Sequence, residues 1–571
     1  MGKGRSGLIW VNNNFDRTVL DSADGVYYDD DVASTSAAAL SPYDGEFTPD
    51  SHWASDSYPQ IPNVRDLQDH ARLWIPGLSN TVANLPTNYT VTLQWRNNTG
   101  AAIRIFKASE TNGGSNYLVS QIEGTNQINY NKYPFYGYVS PTQTISLDQA
   151  FTSTTVPKPS DYFIFCGTSY GNDELVCQIK NRWGGAVGEA SIFLNLQDTK
   201  QMYERWSVGE YPQTLGNLAT NCGDDGFAAF QYSYSASVNS TTPYILYVHG
   251  WNMPTWEKDR FAESAFKRLY WQGYQGRFGV FRWPTDYGFT GSALSAATDR
   301  RNYDYSENQA WLSAIGLKNR LAALNIQYPG QVYVLAHSMG NVVTGEALRL
   351  AGTSQIVNTY VATQAAVPAH DYDATVTNSI LSNPVTPNIY NDWFLPVVGG
   401  GAGRVISFFN VNDYALQPGR WELDQQLKPD QSLTVFGGIY SFDGYPYNGS
   451  AHYTPGSVDD SPPWLSFTEA TATGTTTFNL GASGPITDRY NVMSYAAQAR
   501  STALGMTPSV GNLINVDLTR TSPTRIWPPD TQNPADPFSE HFYHSAEFRG
   551  DYWQQQGYWN ELLGVDAFNL K

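Results

Sequence analysis

The chain has 571 residues, of which 41% are apolar and 15% charged. It is too long for one compact core and too apolar for wholesale disorder, so two or three domains are expected. A formal net charge of −18, with no basic surface evident to displace counterions from phosphates, argues against nucleic acid as a partner and disfavours anionic membranes.

Residues 1–75 read as an Asp- and Ser-rich N-terminal segment. An apolar strand at Leu8–Val11 is followed by Asp21, Asp24 and Asp29–Asp31. Grouped carboxylates are what a hard cation prefers, so Asp21, Asp24 and Asp29 form a calcium candidate. They lack the spacing and the closing Glu of an EF-hand loop, and a solvated acidic turn is the plainer reading.

Residues 76–240 read as β-rich and sandwich-like. Tyr89–Trp95, Ile103–Phe106 and Tyr162–Phe165 are short strands with Gly, Asn and Ser turns between them. The 38 Tyr and 17 Trp, among many Gly, Asn, Ser and Thr, are the palette of extracellular β-rich proteins. An extracellular or cell-surface location is therefore expected, with any signal peptide absent from this sequence. Aromatic residues in strands offer stacking surface for a polymer, but core and cross-strand packing is the commoner use. The odd cysteine count, Cys166, Cys177 and Cys222, excludes complete internal pairing. A bridge between Cys166 and Cys177 on neighbouring strands is an option that spacing alone does not decide. No run of about 18 apolar residues marks a membrane span.

Residues 241–571 change rhythm. Tyr244–Val248 is a buried-type strand, Glu257–Gln272 a helix, Gly279–Arg282 a strand and Ser306–Asn325 a helix. Ala314, Leu317, Leu321 and Leu324 recur there at helical spacing. A third strand runs into Ala336-His337-Ser338-Met339-Gly340, a helix follows at Val342–Leu350, and Val357–Ala366 and Val405–Val411 are two further strands. This alternation implies an α/β fold, a mostly parallel sheet covered on both faces. A Pro-, Gly- and Thr-rich stretch at 414–540 interrupts it as an insertion, a lid or subdomain in character, with one helix expected at Tyr490–Leu504. Tyr552–Leu563 reads as a closing helix.

The strand–turn–helix around Ser338 has the form of a nucleophile elbow, with Ala336 in place of the first glycine. Serine needs such presentation, plus a base, an orienting acid and donors for an oxyanion. His249-Gly250-Trp251-Asn252 directly follows a buried strand, where a second oxyanion loop belongs. The backbone N–H groups of Trp251 and Met339 are the candidate donors. His249 and His337 adjoin the two turns and read as structural.

His249-Gly-Trp-Asn252, Phe281-Arg-Trp-Pro284, Asn302-Tyr-Asp-Tyr-Ser306 and Ala336-His-Ser-Met-Gly-Asn341 occur in one order. That order resembles a group of bacterial α/β-hydrolases, serine esterases by prediction and related in fold to lipases. The resemblance covers roughly residues 240–415 and the last thirty or so; it says nothing about the first 240. It implies an α/β-hydrolase domain and the chain order Ser, acid, His. Asn412-Asp413-Tyr-Ala-Leu416 resembles the family's acid loop and follows a strand end, which selects Asp413 over Asp371, Asp373 and Asp392. His544-Ser-Ala-Glu-Phe548 resembles its histidine loop; His541 is the fallback, and His452 lies inside the insertion.

The expected function is hydrolysis of a small-molecule or polymeric carboxylic ester by Ser338, Asp413 and His544, through an acyl-enzyme and with no cofactor required. One alternative is an amidase or peptidase with the same three residues. Another is a secreted binding or structural protein with a vestigial hydrolase fold.

Overall fold

The computed structural model describes residues 7–11, 68–86, 88–108, 135–148, 161–209, 223–224, 239–251, 253, 255–285, 296–367, 369–372, 400–411, 413, 416, 465–471, 474–480, 503–511, 513–519, 544–545, 547–548 and 552–571. The N-terminal part holds strands β1 (Leu8–Trp10), β2 (Ala71–Trp74), β3 (Thr90–Trp95), β4 (Ile103–Lys107), β5 (Phe135–Val139), β6 (Ile145–Ser146), β7 (Tyr162–Gly167), β8 (Gly171–Lys180) and β9 (Ala186–Gln197). A short helix, α1 (Leu78–Ala83), follows β2. The strands form a five-stranded sheet, β1-β9-β8-β3-β6, and a four-stranded sheet, β2-β7-β4-β5.

Alternation explains the pairing. Val91, Leu93 and Trp95 of β3 point inward while Thr90, Thr92 and Gln94 do not. They share one core with Ile103, Ile105, Phe163 and Phe165 of the other sheet, so the two sheets make the expected sandwich. Cys166 and Cys177 are both buried and neither is in a disulfide, so the bridge considered above is not formed. Cys177 belongs to the shared core, whereas Cys166 alternates with Phe165 and faces the other side of its sheet. Burial pushes the Cys177 thiol up to about 12.

The second part is built on β10 (Glu204–Ser207), β11 (Gly223–Asp224), β12 (Tyr244–Val248), β13 (Arg277–Arg282), β14 (Val332–His337), β15 (Val357–Thr363) and β16 (Ala402–Phe409). A separate hairpin, β17 (Leu465–Thr471) and β18 (Gly474–Leu480), precedes the last sheet strand, β19 (Ile514–Asp517). The order is β11-β10-β13-β12-β14-β15-β16-β19. Every neighbour pair is parallel except β10 with β11. Helices α2 (Thr255–Trp271), α3 (Ala296–Gln327), α4 (Gly340–Ala351) and α5 (Tyr552–Leu562) cover it.

Strand β12 shows how both faces are filled. Ile245 and Tyr247 enter one core with Phe261 and Leu269 of α2 and Trp559 of α5. Tyr244, Leu246 and Val248 enter the other with Leu317 and Leu321 of α3 and Val343 and Leu348 of α4. A strand apolar on both sides has to lie inside a two-faced parallel sheet.

Three sheet strands fall outside the expected limits: β10 and β11 precede residue 241, and β19 lies within 414–540. β10 and β19 have four residues each, only one of them fully buried, and β11 has two, so none carries the apolar run of a central strand. Most of the helix expected at Tyr490–Leu504 lies outside the described residues; Leu504 itself starts a single 3-10 turn, Leu504–Met506.

The two parts meet along α2. Asp259, Glu263 and Lys267, four residues apart, form one stripe of that helix. All are buried, and each is paired with a residue that precedes the central strands: Asp259 with Arg205 at 3.1 Å, Glu263 with Lys200 at 2.9 Å and Lys267 with Asp69 at 2.7 Å. Trp10 packs edge-on against Tyr270 and Trp271, with ring centroids 5.0 and 5.7 Å away, and its indole N–H donates to Asp69 at 2.6 Å. Arg268 donates to the Gln68 side-chain oxygen at 3.5 Å, and its guanidinium also donates to the Glu547 carbonyl.

Candidate active site

The six residues of β14 are all buried, and the chain reverses sharply at Ser338. Its φ of 52° is a left-handed conformation that costs a residue with a Cβ about 1–3 kcal/mol. The surroundings enforce it. Ser338 N–H donates to the Thr363 carbonyl at 3.2 Å, and the Ser338 carbonyl accepts from Ala366 N–H at 3.1 Å. That carbonyl also takes the Asn341 side-chain amide at 2.8 Å, and the Tyr360 hydroxyl donates to the Asn341 side-chain oxygen at 2.6 Å. Gly340 is required because a Cβ there would lie 2.5 Å from the His249 carbonyl oxygen. Ala336 is tolerated at the first glycine position. It sits fully buried in regular sheet, opposite Val248 and Ala362.

The His249–Trp251 turn lies against the serine. A Cβ on Gly250 would approach the Ser338 Cβ to 2.9 Å. The Trp283 backbone N–H donates to His249 Nε2 at 3.2 Å, so the hydrogen is on Nδ1, which donates to the Gly250 carbonyl at 2.8 Å. The Trp283 indole N–H donates to the His249 carbonyl at 2.9 Å, and the two rings stack 5.3 Å apart at 5°. Burial, aided by the Lys258 cation, holds the His249 imidazole well below its ordinary pKa. A neutral, doubly bonded His249 thus fixes the turn that carries Trp251, the structural role expected of it.

The distant side chains converge. His544 Nε2 is 2.8 Å from Ser338 Oγ. His544 Nδ1 is 2.8 and 3.0 Å from the two carboxyl oxygens of Asp413. The carboxyl is fully buried and also accepts from the Gln364 amide at 2.7 Å and from Leu416 N–H at 3.3 Å. With Nδ1–H donated to Asp413, Nε2 is left to accept from the serine hydroxyl. Met339 follows the serine and leads into α4, so its N–H belongs to the helix N-terminus where negative charge is favoured. Of the alternatives, Asp373, Asp392, His452 and His541 lie outside the described residues, and Asp371 sits in a 3-10 turn, Ala369–Tyr372.

Four further residues belong to this site. Gln364, which holds Asp413, has its own φ at 43° directly after β15. Asn341 closes the elbow from within the quoted motif. His337, just before the serine, has Nε2 2.7 Å from the His544 carbonyl. Glu547 is completely buried with an oxygen 3.9 Å from His337 Nε2. Burial, then the neighbouring Asp413 charge, raise the Glu547 carboxyl well above its ordinary pKa, against the pull of Arg268 and a hydrogen bond with Thr363. Glu547 was in plain view inside the His544–Phe548 motif; only its burial gives it this character.

The calcium candidates Asp21, Asp24 and Asp29 lie outside the described residues. Among the described residues no group of three or more His, Cys, Asp or Glu is placed to hold a metal ion, and no described helix is long and apolar enough to cross a membrane.

Seven parallel strands in one sheet, a serine on a strained turn after the middle one of them and a histidine from the C-terminal end of the chain define an α/β-hydrolase domain. The comparison with protein families agrees: residues 229–417 match the family described as "Alpha/beta hydrolase of unknown function (DUF900)". No curated protein matches the chain. Among solved structures, the crystal structure of Aspergillus fumigatus lipase B aligns at 16% identity over 48% of this chain and 67% of that one, with a TM-score of 0.14. An overlap that small carries no argument of its own.

Proposed function

We propose that the protein is a serine hydrolase that cleaves carboxylic esters through an acyl-enzyme. The observation that carries this reading is the unbroken line Ser338 Oγ, His544 Nε2, His544 Nδ1, Asp413, with 2.8 Å at each of its two junctions. His544 takes the hydroxyl proton as Ser338 attacks the ester carbonyl, and Asp413 holds the imidazole tautomer and balances its cation. The N–H groups of Trp251 and Met339 receive the oxyanion, and the alcohol leaves with the proton from His544. Water activated by the same imidazole then releases the acid. Side chains and backbone serve every step, so the proposal names no metal or organic cofactor. The net charge of −18 suits a neutral or cationic ester better than a polyanion.

A fluorophosphonate tests this reading directly. The wild type should label at one serine, and Ser338→Ala should not label while keeping the wild-type melting temperature. A folded wild type that does not label would favour the binding-protein alternative. Paired p-nitrophenyl esters and anilides then separate esterase from amidase, with the ester turned over faster by an esterase.

A further inference from the structure

We propose that His337 is a positioning residue for His544, holding the base against the nucleophile through the His544 backbone carbonyl. This rests on the serine-hydrolase reading above. Asp413 grips one edge of the His544 ring, but a ring held at one edge still moves with its own backbone. The second grip comes from His337 Nε2, 2.7 Å from the His544 carbonyl oxygen. A carbonyl only accepts, so Nε2 carries the hydrogen and His337 donates.

The donor itself is immobile. His337 ends β14 in register with Thr363 and is 3% exposed. Its ring meets Phe548 edge-on at 5.3 Å and lies 4.9 Å from the His544 ring, tilted by 46°. Glu547 lies 3.9 Å from the same Nε2, beyond hydrogen-bonding distance, so the nearer His544 carbonyl takes that hydrogen. The two residues at the elbow thus act as a pair. Ser338 presents its hydroxyl to Nε2 of His544, and His337 fixes the backbone from which that imidazole hangs. The Oγ–Nε2 separation is set from both ends by two adjacent residues, the last of β14 and the first of the turn. Misplacing a reacting group by about 1 Å costs on the order of 100-fold in rate, which is the scale of effect at stake.

His337→Gln and His337→Phe in the full chain test the idea. Glutamine keeps an N–H donor near Nε2 and loses the ring; phenylalanine keeps the ring and loses the donor. A p-nitrophenyl ester should be turned over by the Gln variant with kcat within about fivefold of wild type. The Phe variant should lose roughly 100-fold in kcat at unchanged KM. A role in packing alone predicts the reverse ranking, and that ranking, or equal losses in the two, overturns the proposal. Nitrogen-15 NMR of the wild-type imidazoles gives an answer independent of variant folding: His337 should show the Nε2–H tautomer, and an Nδ1–H tautomer overturns the proposal. Fluorophosphonate labelling of the wild type separates the two levels. A wild type that does not label sinks the hydrolase reading and this one together; a wild type that labels while Phe outperforms Gln sinks this one alone.

Discussion

At the scale of single residues, the site spends conformational strain and buried polarity on placing three groups. Gln364 is held at a left-handed φ of 43° so that its amide reaches Asp413. Gln364→Leu removes a charge-assisted donor worth about 1.5–3 kcal/mol; kcat for ester hydrolysis should fall about tenfold or more with little change in KM, read by steady-state kinetics. Glu547 gives a pH signature. Its carboxyl rises from an ordinary 4.5 to a much higher folded value. Below the ordinary value both folded and unfolded chains hold the proton and nothing is lost. Above it the unfolded chain releases the proton while the folded chain keeps it, so stability declines as pH rises toward the folded pKa. Glu547→Gln mimics the neutral acid and removes that slope. Its melting temperature should gain on wild type as pH rises above the ordinary carboxylate range, and parallel curves would refute the buried-acid assignment.

At the scale of elements, α2 does two jobs. Its apolar side seats the histidine loop, with Phe261 stacked on Phe548 at 4.9 Å and 14°. Its charged stripe pairs Asp259 with Arg205 of β10, and Glu263 and Lys267 with Lys200 and Asp69 of the N-terminal part. Breaking one buried pair leaves the other charge without a counterion, at about 3–5 kcal/mol. Lys267→Met should show that loss in urea unfolding, and Asp69→Asn added to it should recover part of it. None of this was legible in advance. Glu257–Gln272 read as a helix from its apolar spacing, but Asp259, Glu263 and Lys267 are ordinary surface types. Their partners lie about 55 to 200 residues earlier in the sequence. What was legible is what local chemistry dictates: the strand–turn–helix at Ser338, the His249 turn and the two-faced apolar strands. β10 and β19 were missed because a marginal strand of four residues buries too little to leave a pattern.

At the scale of the whole molecule, the sandwich and the hydrolase sheet share one apolar core that runs from Leu8 and Trp95 to Leu269 and Trp559. Cooperative unfolding follows from such continuity. Calorimetry should give a single transition, and two separated peaks would contradict the shared core. Removing residues 1–200 exposes Trp271 and strands Glu263 and Lys267 without Lys200 and Asp69, so the remaining fragment should be insoluble when expressed alone. A soluble, monodisperse fragment by size-exclusion chromatography would show that α2 tolerates an open flank.

The unbridged thiols have a consequence for handling. With Cys166 and Cys177 both outside any disulfide, the described residues hold no cross-link. Dithiothreitol therefore has nothing to cleave, and thermal midpoints with and without it should coincide. Burial shields the Cys166 and Cys177 sulfurs from maleimides, so neither should label while the chain stays folded.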